Sequence, residues 1–171
     1  EDLRAKRQFR YVEPNYIRRA TWTPDDPDFF TNPGKQWQLQ SGFMDMETAW
    51  DHSDGKGVTI AVLDSGYDNC GAADMAKWVV AGYDFVNGDT DPMDDHAHGT
   101  AVSFVIFAHT NNTANLAGIS WESNLMPVKV LDDSASGADT WIANGIEWAT
   151  DNGAQVINMS LGSSSPSSTI S

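Results

Sequence analysis

Only one cysteine, Cys70, occurs in the 171 residues, so no disulfide can close within the chain. It sits in a Gly/Ala-rich stretch with no second cysteine to complete a redox or zinc motif, and it reads as a structural or incidental thiol. Positive charge is scarce as well. Ten Lys and Arg stand against 24 Asp and Glu, a net charge of −14, which argues against nucleic acid as a partner. No apolar run approaches the ~20 residues of a membrane-spanning helix, and the N-terminus has no signal-peptide core. The expectation is therefore no membrane partner and no signal peptide within these residues. Hydrophobic residues are not scarce: they make up 40% of the chain, with seven Trp, enough for one well-cored domain.

The few cations are unevenly placed. Residues 1–20 hold six of the ten and only three acids, a net of +3, whereas residues 21–171 carry a net of −17. A sign change this sharp predicts a boundary near residue 20.

Buried strands and helices alternate along the rest. Residues 9–14 alternate and end at Pro14, as a short strand does, and residues 21–35 are a Pro/Asp/Gly-rich irregular segment. Residues 45–51 suit a short helix with Met46, Ala49 and Trp50 turned inward. Residues 57–64 form a nearly continuous apolar run ending in Asp64-Ser65-Gly66, the pattern of a strand buried on both faces of a parallel sheet. Residues 77–85 contain a second β-rich run, residues 88–98 an acidic loop, and residues 98–109 a helix apolar nearly all round. Residues 125–131 read as a buried strand, 139–152 as a helix through Ile142, Ile146 and Ala149, and 154–161 as a further strand. Residues 162–171 are a Ser-rich tail. This order predicts an α/β fold, a parallel sheet with helices on both faces and right-handed crossovers. In such sheets chemistry collects beyond the carboxyl ends of the strands, where Asp64 and Ser160-Leu161-Gly162 stand.

The stretch Asp94-Asp95-His96-Ala97-His98-Gly99-Thr100 puts two acids and two imidazoles at the mouth of a predicted helix. Two chemistries suit it. His98 could be a general base oriented by a carboxylate such as Asp64. Alternatively, His96-Ala97-His98 could be a metal-binding pair in a metal-dependent hydrolase.

Five landmarks, taken together, favour the first. Val58-Thr59-Ile60-Ala61-Val62-Leu63-Asp64-Ser65-Gly66 resembles the aspartate motif of subtilisin-like serine proteases (peptidase family S8), and His98-Gly99-Thr100 with Val102 resembles their histidine motif. Val128-Lys129-Val130-Leu131, Asn144-Gly145-Ile146 and Val156-Ile157-Asn158-Met159-Ser160-Leu161-Gly162 match the next three in order and spacing. The resemblance spans about residues 22–162. It implies a serine endopeptidase acting on polypeptides, with a three-layer α/β/α fold whose C-terminal part lies outside these residues. Asp64 would be the orienting carboxylate and His98 the general base and acid. Ser160, Leu161 and Gly162 would pair with substrate backbone, and Ser136 and Gly137 would form the opposing rim. The family favours Gly where Ala135 stands.

The family's oxyanion asparagine and nucleophilic serine lie further along than Ser171, and no tail serine sits in a Gly-Thr-Ser motif. The resemblance therefore implies no activity for these residues alone. A non-catalytic fragment or pseudoprotease, binding peptides or a complementary half, is the alternative. Tyr11-Val12-Glu13-Pro14-Asn15-Tyr16 resembles the end of an inhibitory propeptide, which makes residues 1–20 a propeptide remnant and residues 21–171 the first half of a secreted, extracellular peptidase domain.

The resemblance is to the thermitase-like branch, which binds calcium. Carried over, Asp26, Asp74 and Asn112 would supply side-chain oxygens, and His109, Ala114 and Leu116 backbone carbonyls, to one Ca2+. Asp84, Asp89 and Asp91, with Asn87 nearby, would form a second, weaker site. Two segments depart from the family pattern. Ala72-Ala73-Asp74-Met75 replaces a usual His-Pro-Asp-Leu, and Phe104 replaces a glycine, which implies overpacking beneath His98.

Overall fold

The apolar run expected to be a doubly buried strand forms β1 (Thr59–Asp64), the centre of a four-stranded parallel sheet. The structure is a computed structural model that describes residues 23–30, 34–71 and 74–163. The expected strand at 9–14, the propeptide remnant at 1–20, Ala72, Ala73 and residues 164–171 lie outside the described residues.

The sheet order is β2 (Tyr83–Asp84), β3 (Asn124–Lys129), β1, β4 (Val156–Asn158). Thr59 pairs with Asn124 and Asp64 with Lys129 along β1 and β3, while Ile60 to Val62 pair with Val156 to Asn158. Residue alternation assigns the two faces. Ala61, Leu63, Met126 and Val128 pack with Ile142 and Ala149 of α4 (Asp139–Asp151). Val62 and Leu125 face the other way, onto Phe107 of α3 (His98–Phe107). Both faces are covered by helix, as an all-parallel sheet requires. A satellite core of Phe29, Leu39, Met46, Trp50, Ala117 and Trp121 gathers α1 (Pro27–Phe30) and α2 (Met46–Trp50) beside this.

Three expectations change. The β-rich run at 77–85 is no continuous strand: it touches β3 through an isolated bridge at Val79 and then the two residues of β2. Pro127, in the middle of β3, explains the gap. Leu125 donates its N–H to Trp78 on this side, and Pro127, two residues on, has no N–H to repeat the bond. In α2, Met46 and Trp50 are buried but Ala49 is exposed, because five residues make little more than one turn and bury only its two ends. In α3 the buried stripe is Gly99, Ser103 and Phe107; Phe104 is half-buried outside it, so the expected overpacking beneath His98 does not arise.

Candidate active site

Parallel strands bring their carboxyl ends to one edge, and the candidate residues gather there. Asp64 ends β1 and is completely buried. His98 opens α3, and its Nδ1 lies 2.8 Å from Asp64 Oδ1. A carboxylate can only accept, so with Asp64 ionised this contact calls for the proton on Nδ1 and leaves Nε2 as the basic atom. The His98 side chain is 44% exposed and open to a reacting partner. Asp64 Oδ1 also accepts the Ser65 N–H at 2.7 Å, while Oδ2 is buried with no hydrogen-bond partner among the described residues.

Two glycines let the end of β1 lie this close to the start of α3 and to the loop before it. A Cβ on Gly99 would fall 2.3 Å from the Gly66 carbonyl oxygen, and one on Gly66 (φ +116°) would fall 2.6 Å from that of Pro92. Gly99→Ala is expected to push the start of α3 off β1 and destabilise the fold by roughly 1–3 kcal/mol. Urea unfolding of the two proteins measures the loss, and an unchanged midpoint would contradict the contact.

Asp94 is the residue that sequence reasoning undervalued, having grouped it with a possible metal cluster. Its Oδ1 accepts from Ser65 Oγ, His96 N and Ala97 N, and its Oδ2 from Thr100 N and Oγ1. Ser65 Oγ in turn accepts the Gly99 N–H at 2.9 Å. Asp94 thus folds the turn that presents His98, in which Ala97 is held at φ +76°. Burial raises the Asp94 pKa, but bonds from the Thr100 hydroxyl, the His96 and Thr100 amides and Ser65 outweigh it and bring it down to about 2. A lowered carboxylate pKa stabilises the fold above the ordinary value of 3.8, and that contribution disappears as pH falls through about 2. Wild type is therefore expected to lose on the order of 1–2 kcal/mol between pH 4 and pH 2 that Asp94→Ala does not lose. Acid unfolding curves of the two proteins give the difference, and parallel curves would contradict it.

The proposed substrate residues flank this edge. Ser136 and Gly137 are exposed in the loop after β3. Asp132 Oδ1 shapes that loop by accepting from Ser134 N, Ser134 Oγ and Ser136 N, bonds that lower its pKa, led by the Ser134 hydroxyl. Ala135 has φ +56°, the conformation that explains a family preference for Gly there. Ser160 and Gly162 are exposed beyond β4, and Leu161 packs against the α4-side core. Neither of two clefts of about 440 and 430 Å³ is lined by Asp64 or His98.

His96 is exposed, its ring centroid 6.4 Å from that of His98. Among the described residues no group of three or more His, Cys, Asp or Glu is placed to hold a metal ion. Asp26 is fully buried and Asp74 nearly so, and among the described residues no cation pairs with either. Burial raises the Asp26 pKa against the pull of the Asn111 and Asn112 amides. Asn112 and Asn115 both donate side-chain amides to the Asp74 carboxylate, and Asn111 N donates to Asp26 Oδ2 at 2.8 Å. Asn111, Thr113 and Asn115 all have positive φ, which winds the loop carrying Ala114 around these carboxylates. This oxygen-rich donor set fits a hard cation. At the second position, Asp84 accepts from Val86 N and from Asn87 N and Nδ2, and Asp89 from Asp91 N. Those carboxylates shape their own turns and do not converge on a point.

The model of the subtilase family, peptidase S8, matches residues 55–171. A thermophilic serine proteinase of Bacillus sp. (strain AK1) is 42% identical over 153 residues, covering 89% of this chain and 37% of the relative. Thermitase of Thermoactinomyces vulgaris is 39% identical over 141 residues, covering 82% and 48%. The solved structure of a protease from Pseudoalteromonas arctica PAMC 21717 superposes with a TM-score of 0.75 at 34% identity, over 87% of this chain and 54% of that one. The chain thus spans less than half the length of these two curated relatives.

Proposed function

This chain belongs to the subtilase family, and we propose that it supplies the Asp and His of an Asp-His-Ser endopeptidase triad. The observation that carries this is the 2.8 Å bond from His98 Nδ1 to the wholly buried Asp64. In this reading Nε2 of His98 takes the proton of a serine hydroxyl as that oxygen attacks the scissile carbonyl. It then returns the proton to the leaving amine, while Asp64 holds the tautomer and stabilises the imidazolium. Residues 1–171 hold no serine in a Gly-Thr-Ser setting, so on their own they are expected to turn over no peptide. An extended substrate lies between Ser136-Gly137 and Ser160-Leu161-Gly162 and adds a strand at this edge. Val156 and Met159, 47% and 42% exposed, favour a protein neighbour along β4, the place for the rest of the domain. Asp26, Asp74 and Asn112, with carbonyls of His109, Ala114 and Leu116, hold a structural Ca2+, which stiffens a secreted domain in which residues 1–171 close no disulfide among themselves. Residues 1–20 are the end of the protein's own propeptide.

The test compares the 171-residue chain with the same chain continued through a family nucleophile segment, on a chromogenic peptide. Turnover is expected only from the longer protein, and a serine-directed covalent inhibitor is expected to block it. Turnover by the short chain, or none by the folded long one, would overturn the reading. The second outcome would favour a non-catalytic peptide-binding module.

A further inference from the structure

Lys129 is a wholly buried cation in the central sheet, and the triad chemistry does not use it. Its Nζ donates to three acceptors: the Ser65 carbonyl at 2.7 Å, the Leu131 carbonyl at 2.8 Å and Asp95 Oδ1 at 2.6 Å. An ammonium has three N–H bonds, so its capacity is filled. Each acceptor belongs to a different part of the site. Ser65 follows Asp64 on the exit of β1. Leu131 follows β3 and leads into the loop that carries Ser136 and Gly137. Asp95 lies three residues before His98, and its side chain is 48% exposed. The backbone already joins the two strand ends, since Val130 N and Leu131 N both donate to the Asp64 carbonyl. The loop leading to His98 is held to β1 by Asp94 through Ser65 Oγ. Lys129 adds the only ion pair among the described residues that reaches this loop from β3.

We propose that Lys129 is a positioning residue for the Asp64–His98 pair. Its buried ammonium ties the end of β1, the root of the substrate rim and the loop presenting His98 to one point. The proposal rests on the protease reading above. A buried cation is an uneconomical way to gain stability, because desolvation consumes much of its attraction to a carboxylate. Its better-attested use is to fix one arrangement of the elements around it. Hydrocarbon at this position would fill the space but leave two carbonyls without donors and the His98 loop without its β3 tether. Nδ1 of His98 would then sample longer distances from Asp64, and misplacement of about 1 Å costs on the order of 100-fold in rate.

Lys129→Met and the milder Asp95→Ala test this in the longer, serine-bearing protein, with kcat and KM measured per folded molecule. Asp95 is half-exposed, so its variant is expected to fold even if Lys129→Met does not. The expected result is a kcat roughly 10- to 100-fold lower for Lys129→Met and several-fold lower for Asp95→Ala, with partial rescue in Asp95→Glu, which restores the carboxylate. The downfield Nδ1 proton of His98 is expected to broaden or vanish in both variants in the 171-residue chain, a readout that does not depend on turnover. If wild type turns over peptide and both variants keep its kcat and the sharp proton, Lys129 is merely structural and the proposal fails. If wild type turns over nothing while the proton still responds to Lys129, the protease reading fails and the positioning role stands.

Discussion

Asp64→Asn in the serine-bearing protein is expected to lower kcat by about 10⁴-fold and leave KM within a few-fold. This scale is the one set by triads of this kind, subtilisin's included. The physical cause is local. Asp64 Oδ1 accepts from both His98 Nδ1 and Ser65 N, so it is an acceptor with two claims on it. An amide that keeps its oxygen at that position can still accept both bonds but no longer offsets the charge of the imidazolium, and one that turns its NH₂ toward His98 meets an N–H or forces the other tautomer. The base then points its proton at the serine instead of its lone pair. His98→Ala removes the proton carrier itself, and in subtilisin the matching loss is about 10⁶. Both variants keep the folded core, because the Asp94 network holds the turn at residues 94–100 without either side chain. A kcat within tenfold of wild type for Asp64→Asn, in a protein with wild-type circular dichroism, would contradict the assignment.

Calcium is expected to raise the melting temperature of the chain by roughly 5–10 °C at a concentration a hundredfold above its dissociation constant. That corresponds to about 2.7 kcal/mol of linkage, spread over a domain of this size. The gain comes from Asp26 and Asp74, two carboxylates taken out of water without a cation beside them among the described residues. It comes also from a loop held at positive φ at Asn111, Thr113 and Asn115, of which Thr113, being β-branched, is the least suited. Asp26→Ala and Asp74→Ala should each abolish the shift, and magnesium should reproduce little of it, since it binds poorly in flexible cages. Differential scanning calorimetry with and without chelator measures the effect. No shift at millimolar calcium would sink the site.

The elements that sequence made legible are those whose residue pattern has one physical solution. The run at residues 58–64 is apolar at every position but Thr59 and Asp64, and only a doubly covered parallel strand accepts that. Asp64 and His98 could be singled out because the proposed roles require a carboxylate and an imidazole at element ends, and the fold sets the two 2.8 Å apart. Pro127 shows what was not. It sits in a β-rich stretch and interrupts its neighbour's ladder, an effect that exists only once strands are paired. Ala49 was misjudged because a single helical turn buries only its two ends, and the place of Phe104 outside the buried stripe of α3 could not be read from a comparison of residue types alone. Asp94 and Lys129 look in sequence like one more acid in an acidic loop and one polar residue in a buried run. Their partners, Ser65 at 29 residues and Asp95 at 34, are brought near by the fold alone. A lysine inside a continuous apolar run was nonetheless a signal, since burial of an ammonium demands acceptors on every N–H.

The central claim, that Asp64 orients His98 as a base, is open to nitrogen NMR on the 171-residue chain itself. At a pH where the imidazole is neutral, the ¹⁵N shifts of His98 should show the proton on Nδ1 and a bare Nε2, and Asp64→Asn should abolish that preference. A proton on Nε2 in the wild-type chain, or a tautomer indifferent to Asp64→Asn, would contradict the account.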